Sequence, residues 1–278
     1  MVPILYLLNV TCSAVQSALG KQYAKCGGAS LPFNINKAVI GTILFLALGL
    51  INGFSWHFET VLFGIGYGIS LCISMHTGFK ALSIGPMALT SIIASFSLII
   101  PFSFGIVFWN ETLTLLKFIG IILLLISVLL INIKKENGFS AKWLFYALIT
   151  LLTNGICSVI QKMHQVKFPT LYKTEFMFWA LLCVSIILFL ISKSKPSEQT
   201  DLKFSLLGTA SGVANCLANY IVLYLSATEN ASVLFPIIAI ANIIAVWIIG
   251  IIFFKERLRF FQTVGLTVGI ISVVLLKA

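Results

Sequence analysis

Ten apolar runs, each about long enough to cross a bilayer, fill this chain almost from end to end. Lipid hydrocarbon about 30 Å thick takes roughly 20 apolar residues per helix. Runs of that kind lie near 2–20, 35–54, 60–82, 86–108, 112–133, 141–161, 174–192, 202–226, 230–253 and 258–277. They are continuous rather than alternating, so they read as helices and not as strands of a membrane barrel. Only 9% of the residues are charged and 59% are hydrophobic. A water-soluble fold of this length could not cover its surface with so few polar groups. The expectation is an all-α polytopic membrane protein of ten transmembrane helices. The longest polar stretch, ISKSKPSEQTDLK at 191–203, reads as a solvated connector and leaves no room for a soluble domain.

Several function classes fall away on composition. The first apolar run has no basic segment before it, so it reads as a permanent helix rather than a signal peptide. Six cysteines, mostly inside apolar runs and without CxxC spacing, imply neither a disulfide framework nor a zinc site. The net charge of +10 comes from 18 Lys and Arg scattered at helix ends, which is no nucleic-acid-binding face. The three histidines form no HExxH, there is no pair of membrane aspartates, and no glycine-rich phosphate loop follows a strand, so no enzyme, metal or cofactor is expected. Divided by alternate loops, thirteen of the basic residues fall on one side and five on the other. The rule that basic loops stay in the cytoplasm then puts both termini outside. Lys162, Lys167 and Lys173, all on the poor side, are the exception to that pattern.

The chain also repeats itself. NVTCSAVQ at 9–16 returns as NGICSVIQ at 154–161, an offset of 145 that pairs Asn9 with Asn154, Ser13 with Ser158 and Gln16 with Gln161. The same offset pairs Gly105 with Gly250, Glu111 with Glu256, Gly120 with Gly265 and Ser127 with Ser272. With a one-residue slip, Gly64, Gly68 and Cys72 match Gly208, Gly212 and Cys216. The division falls into 1–138 and 139–278, five spans each. An odd number of spans makes the second copy enter the membrane upside down, a five-plus-five inverted repeat. The loop WNET at 109–112 has no basic residue, whereas FKERLR at 254–259 has three, as opposite faces of the bilayer require. Inverted repeats of this kind characterise secondary transporters with a substrate site near the midplane.

With a Glu-containing turn before the last span of each half, WNETLTLLKFIGIILL and FKERLRFFQTVGLTVG, the whole chain resembles the ten-helix branch of the drug/metabolite transporter superfamily, the EamA-like transporters. The resemblance implies that spans one, three, four, six, eight and nine surround the pathway. It also implies export of metabolites and cytoplasmic termini, the reverse of the lysine count, so both orientations stay open.

Asn9, Ser13 and Gln16 share one helical face, as do Asn154, Ser158 and Gln161. Facing lipid, each unpaired amide or hydroxyl would cost on the order of 1–3 kcal/mol. The stripes therefore look toward protein, either as glue between helices or as opposite walls of one central cavity, the reading the duplication favours. Asn215, Asn219 and Tyr220 in span eight, Ser74, Met75 and His76 in span three, and Ser97 with its repeat partner Asn242 are further substrate-contact candidates. His76 is a proton relay or a hydrogen-bonded residue near its helix end. Pro101 and Pro236 interrupt spans four and nine as hinges or plain kinks. Glu111 and Glu256 stand just before spans five and ten, where a carboxylate caps free helix amides.

All eight acidic residues lie in loops or near span ends, which disfavours proton or sodium coupling through a central carboxylate. It also leaves only aromatic faces such as Tyr220 or Tyr224 to hold a cation. The expectation is a monomeric or homodimeric carrier in the plasma (inner) membrane, its partners the lipid bilayer and a small neutral or zwitterionic metabolite. A flippase for a lipid-linked sugar is the alternative, with a membrane-embedded enzyme ranked behind it.

Overall fold

A computed structural model of the protein describes residues 2–25, 29–84, 93–94, 96–112, 114–132, 141–193, 202–254 and 260–277. These form ten α-helices: α1 Val2–Lys25, α2 Ser30–Ile51, α3 Phe58–Ile84, α4 Ile99–Phe108, α5 Leu115–Asn132, α6 Ala141–Lys167, α7 Lys173–Lys193, α8 Leu202–Thr228, α9 Ala231–Phe254 and α10 Phe260–Lys277. Among the described residues α1, α2, α3, α6, α7 and α8 each hold a stretch long and apolar enough to cross a membrane, and shorter apolar stretches lie in the other four. A short 3₁₀ turn, Phe96–Leu98, leads into α4.

Burial follows the rule for lipid rather than for water. Large apolar side chains such as Ile4, Leu7, Leu50, Ile51 and Leu190 are exposed. Thr60, Ser127, His164, Gln165, Ser211, Ser226 and Ser272 are fully buried. Hydrocarbon cannot hydrogen-bond a hydroxyl or amide, so such groups turn inward, and most of them bond to helix carbonyls or to other side chains.

The chain divides into two compact units, Met1–Cys72 with Ile160–Thr228 and Ile73–Val159 with Glu229–Ala278. The dividing points fall within α3 and α6, so each unit draws on both halves of the sequence. In the first unit α8 lies along α1 and α2, and α2 along α7. In the second α5 lies along α10 and α4 along α9. Leu98, Phe102, Ile121, Leu124 and Ile240 form a buried cluster there.

Glycines fix the closest approaches. A Cβ on Gly64 would stand 2.9 Å from the carbonyl oxygen of Phe176, and one on Gly68 2.6 Å from that of Ala180, so α3 meets the backbone of α7 through bare glycine. Their repeat partners pack on α2: a Cβ on Gly212 would lie 3.1 Å from the Lys37 carbonyl oxygen, and one on Gly208 3.0 Å from the Asn36 Cβ. Repeated small residues thus serve equivalent helix pairs. In the second unit Ser127 Oγ donates to the Gly265 carbonyl at 2.6 Å, and a Cβ on Gly269 would meet that same Oγ at 2.6 Å.

Candidate functional site

Each amide stripe is tied through its asparagine to another helix of the same unit. Asn9 is buried on α1, and its Nδ2 donates to the Ala218 carbonyl of α8 at 2.9 Å. Its Oδ1 is buried with no hydrogen-bond partner among the described residues. One helical turn further along the contact, Asn215 Nδ2 donates to Gln16 Oε1 at 3.0 Å, and Asn219 Nδ2 donates back to the Asn215 carbonyl. Ser13, between Asn9 and Gln16, is half-buried. In the second unit Ser74 Oγ of α3 donates to Asn154 Oδ1 of α6 at 2.5 Å. A turn away, the hydroxyls of Thr77 and Thr150 meet at 2.9 Å, and Ser158 Oγ bonds the Asn154 carbonyl of its own helix.

These contacts obey the repeat. The one-residue slip that matches spans three and eight equates Ser74 with Ala218. Asn9 with Ala218 and Asn154 with Ser74 are therefore equivalent pairs, preserved although one partner uses a backbone carbonyl and the other a side chain.

The remaining expected residues are placed as follows. Gln161 is buried with its Nε2 unpartnered among the described residues, as is Asn242 Oδ1 on α9. Met75 and Ser97 are half-buried, and His76 is exposed. Pro236 lies inside α9. Pro101 is the third residue of α4, directly after the 3₁₀ turn. A proline in the first turn lacks an amide hydrogen that the turn leaves unused.

Glu111 does cap a helix, but not α5, the helix that follows it. Its Oε1 accepts from the Ala231 amide at 2.7 Å and its Oε2 from that of Ser232 at 2.8 Å, at the start of α9. The chain turns back after α4 through Asn110, at φ 52°, a left-handed conformation that asparagine tolerates. This sets the carboxylate onto Gly105, where a Cβ would stand 2.7 Å from Oε2. The spacing of six between the glycine and the glutamate has a steric reason, since any larger residue at 105 would push the carboxylate off the α9 amides. The same spacing recurs at Gly250 and Glu256, and Glu256 lies outside the described residues.

The aromatic faces that sequence left open for a cation already hold one. Lys173 Nζ lies 4.8 Å from the Tyr224 ring centroid and 5.5 Å from that of Tyr220. The other lysines that broke the charge pattern are also engaged. Lys162 is buried, and its Nζ donates to the Ser226 carbonyl at 2.8 Å, near the end of α8, where carbonyls lack intrahelical partners. Lys167 pairs with Glu59 at 2.7 Å.

Sequence reading missed a polar core at the end of α6. The helix runs six residues past the apolar run, through QKMHQ at 161–165. His164 and Gln165 are fully buried, with the imidazole stacked on Phe176 at 4.6 Å. Gln165 Nε2 can only donate, so His164 Nδ1 accepts at 2.9 Å, and the neutral ring gives its Nε2 hydrogen to Thr60 Oγ1 at 3.2 Å. The signal was four polar residues within five, which read as a helix end meeting water. Among the described residues no group of three or more His, Cys, Asp or Glu comes together to hold a metal ion.

The arrangement places neutral hydrogen-bond donors and acceptors inside apolar helices. Residues 1–133 and 141–278 both match the EamA-like transporter family. A solved structure, titled only as the crystal structure of a protein, superposes with a TM-score of 0.81 over 99% of this chain and 95% of its own, at 15% identity. No curated protein matches the sequence.

Proposed function

Because the chain belongs to the EamA-like transporter family, membrane transporters of the drug/metabolite type, we propose that it is a secondary transporter moving a small neutral or zwitterionic metabolite across the plasma membrane. Its two copies, 1–138 and 139–278, are inverted repeats that work by alternating access, exposing the substrate site to each side in turn. Export is the preferred direction.

The observation that carries the reading is that three of the amides singled out by the repeat and the span pattern each keep a buried atom without a partner among the described residues: Asn9 Oδ1, Gln161 Nε2 and Asn242 Oδ1. Each costs about 1–3 kcal/mol if left dry, and a hydrated solute path relieves that cost. Amides and hydroxyls select solutes with several polar groups, and with no carboxylate among them they offer a multivalent cation nothing to pair with. Ser13, Gln16, Ser74, Asn154, Ser158 and Asn215 complete the proposed contacts, and Asn219 supports them through the Asn215 carbonyl. Tyr220 belongs to the set only through Lys173, which stands over its ring.

The test is a screen in proteoliposomes with radiolabelled amino acids, nucleosides and multivalent ions. At least one neutral or zwitterionic solute should move faster than into protein-free vesicles. Transport confined to multivalent ions would overturn the assignment.

A further inference from the structure

A second binding feature, built from other side chains than the amide stripes, lies wholly within the first unit. Glu59 in the first turn of α3 and Lys167 at the end of α6 pair over a cavity of about 350 Å³. Leu62, Phe63 and Gly66 of α3 and Ile160 of α6 line the rest of it. That volume is at the lower end of the range for small-molecule sites. Gly66 stands seven residues beyond Glu59, so the slot reaches about 10 Å along the helix axis at 1.5 Å per residue. Leu62, on its wall, is 54% exposed, which leaves the slot open on the side where the helices meet lipid.

Aromatic side chains gather about its charged mouth. Trp56 is 69% exposed and meets Trp179 edge-on at 4.9 Å. His57 stacks on Tyr172 at 5.1 Å and meets Phe168 edge-on at 4.8 Å. Aromatic residues of this kind gather at the membrane–water boundary. The ion pair itself is half-solvated, with Lys167 52% and Glu59 44% exposed, so neither charge is locked to the other.

We propose that this slot binds one phospholipid whose headgroup carries a phosphate and a primary ammonium. Lys167 takes the phosphate, the Glu59 carboxylate accepts from the ammonium, and an acyl chain enters between Leu62, Phe63, Gly66 and Ile160. An anionic headgroup meets Glu59 with like charge, and a quaternary ammonium has no hydrogen to give it. The inference is independent of the transported solute.

The full-length protein, delipidated in detergent, is titrated with phosphatidylethanolamine, phosphatidylglycerol, phosphatidylcholine or chain-free glycerophosphoethanolamine and read by native mass spectrometry. One phosphatidylethanolamine should be retained at least fivefold over the other two lipids, and the chain-free headgroup should not compete. Glu59→Gln/Lys167→Gln should abolish the preference. Gly66→Leu, which plugs the floor, and Leu62→Trp, which plugs the exposed wall, should each lower occupancy at least fivefold at an unchanged melting temperature. Equal retention of either other lipid, displacement by the chain-free headgroup, or wild-type occupancy in a folded plugged variant would overturn it.

Discussion

Asn9 and Ala218 are joined through only one end of the asparagine amide: Nδ2 donates to the Ala218 carbonyl at 2.9 Å, while Oδ1 stays buried and unpartnered among the described residues. In the proposed carrier, gluing helices and touching solute fall to opposite ends of this one side chain. The Ala218 carbonyl lies inside α8, where the helix already supplies it a hydrogen, so the second bond adds little. Asn9→Ala should cost only about 0.6 kcal/mol, the average for hydrogen bonds between membrane helices. Transport should fall more than tenfold. Melting temperature and uptake measured on the same preparation separate the two effects.

Gly66 and Gly68 differ by two positions and should differ sharply in tolerance. A Cβ at 66 would meet Ile160 at 3.7 Å, an ordinary contact, whereas one at 68 would collide with the Ala180 carbonyl at 2.6 Å. Gly68→Ala should destabilise by about 1–3 kcal/mol, the usual cost of overpacking. Gly66→Ala should leave the thermal transition in detergent unchanged.

Removing the Glu111 carboxylate should loosen the start of α9. Glu111→Ala should cost about 0.5–2 kcal/mol, as loss of a cap does, and Glu111→Gln should cost less because one acceptor oxygen remains. Hydrogen exchange should accelerate at residues 231–234 and stay unchanged at 115–118. The opposite pattern would return the cap to α5.

Lys173 occupies the rings of Tyr220 and Tyr224. Lys173→Gln should vacate them and create weak affinity for tetramethylammonium, between roughly 1 mM and 200 mM, from two cation–π contacts of about 0.5–2 kcal/mol each. Tyrosine fluorescence quenching should appear in the variant and not in the wild type.

Helices, inward-turning polar stripes and close-approach glycines were legible in the sequence because each depends on local spacing. Asn9, Ser13 and Gln16 share a face whatever lies opposite. What lies opposite is a long-range fact: the partner of Asn9 is 209 residues away, and those of Glu111 are 120 and 121 away. Glu111 was read against the nearest helix start, and folding carried it to another. Lys162, His164 and Gln165 follow the apolar run that ends at 161, and polar residues there look alike whether water or protein receives them. Their burial rests on Thr60, Phe176 and Ser226, which no periodicity connects to them.

The most direct test of the account is solute uptake by proteoliposomes carrying Asn9→Ala/Asn154→Ala, compared with the wild type on whichever amino acid or nucleoside the wild type moves. The account predicts folded, monodisperse protein whose transport falls to the level of protein-free vesicles. Wild-type rates in that folded double variant would show that the paired amides hold helices together and do not touch the solute.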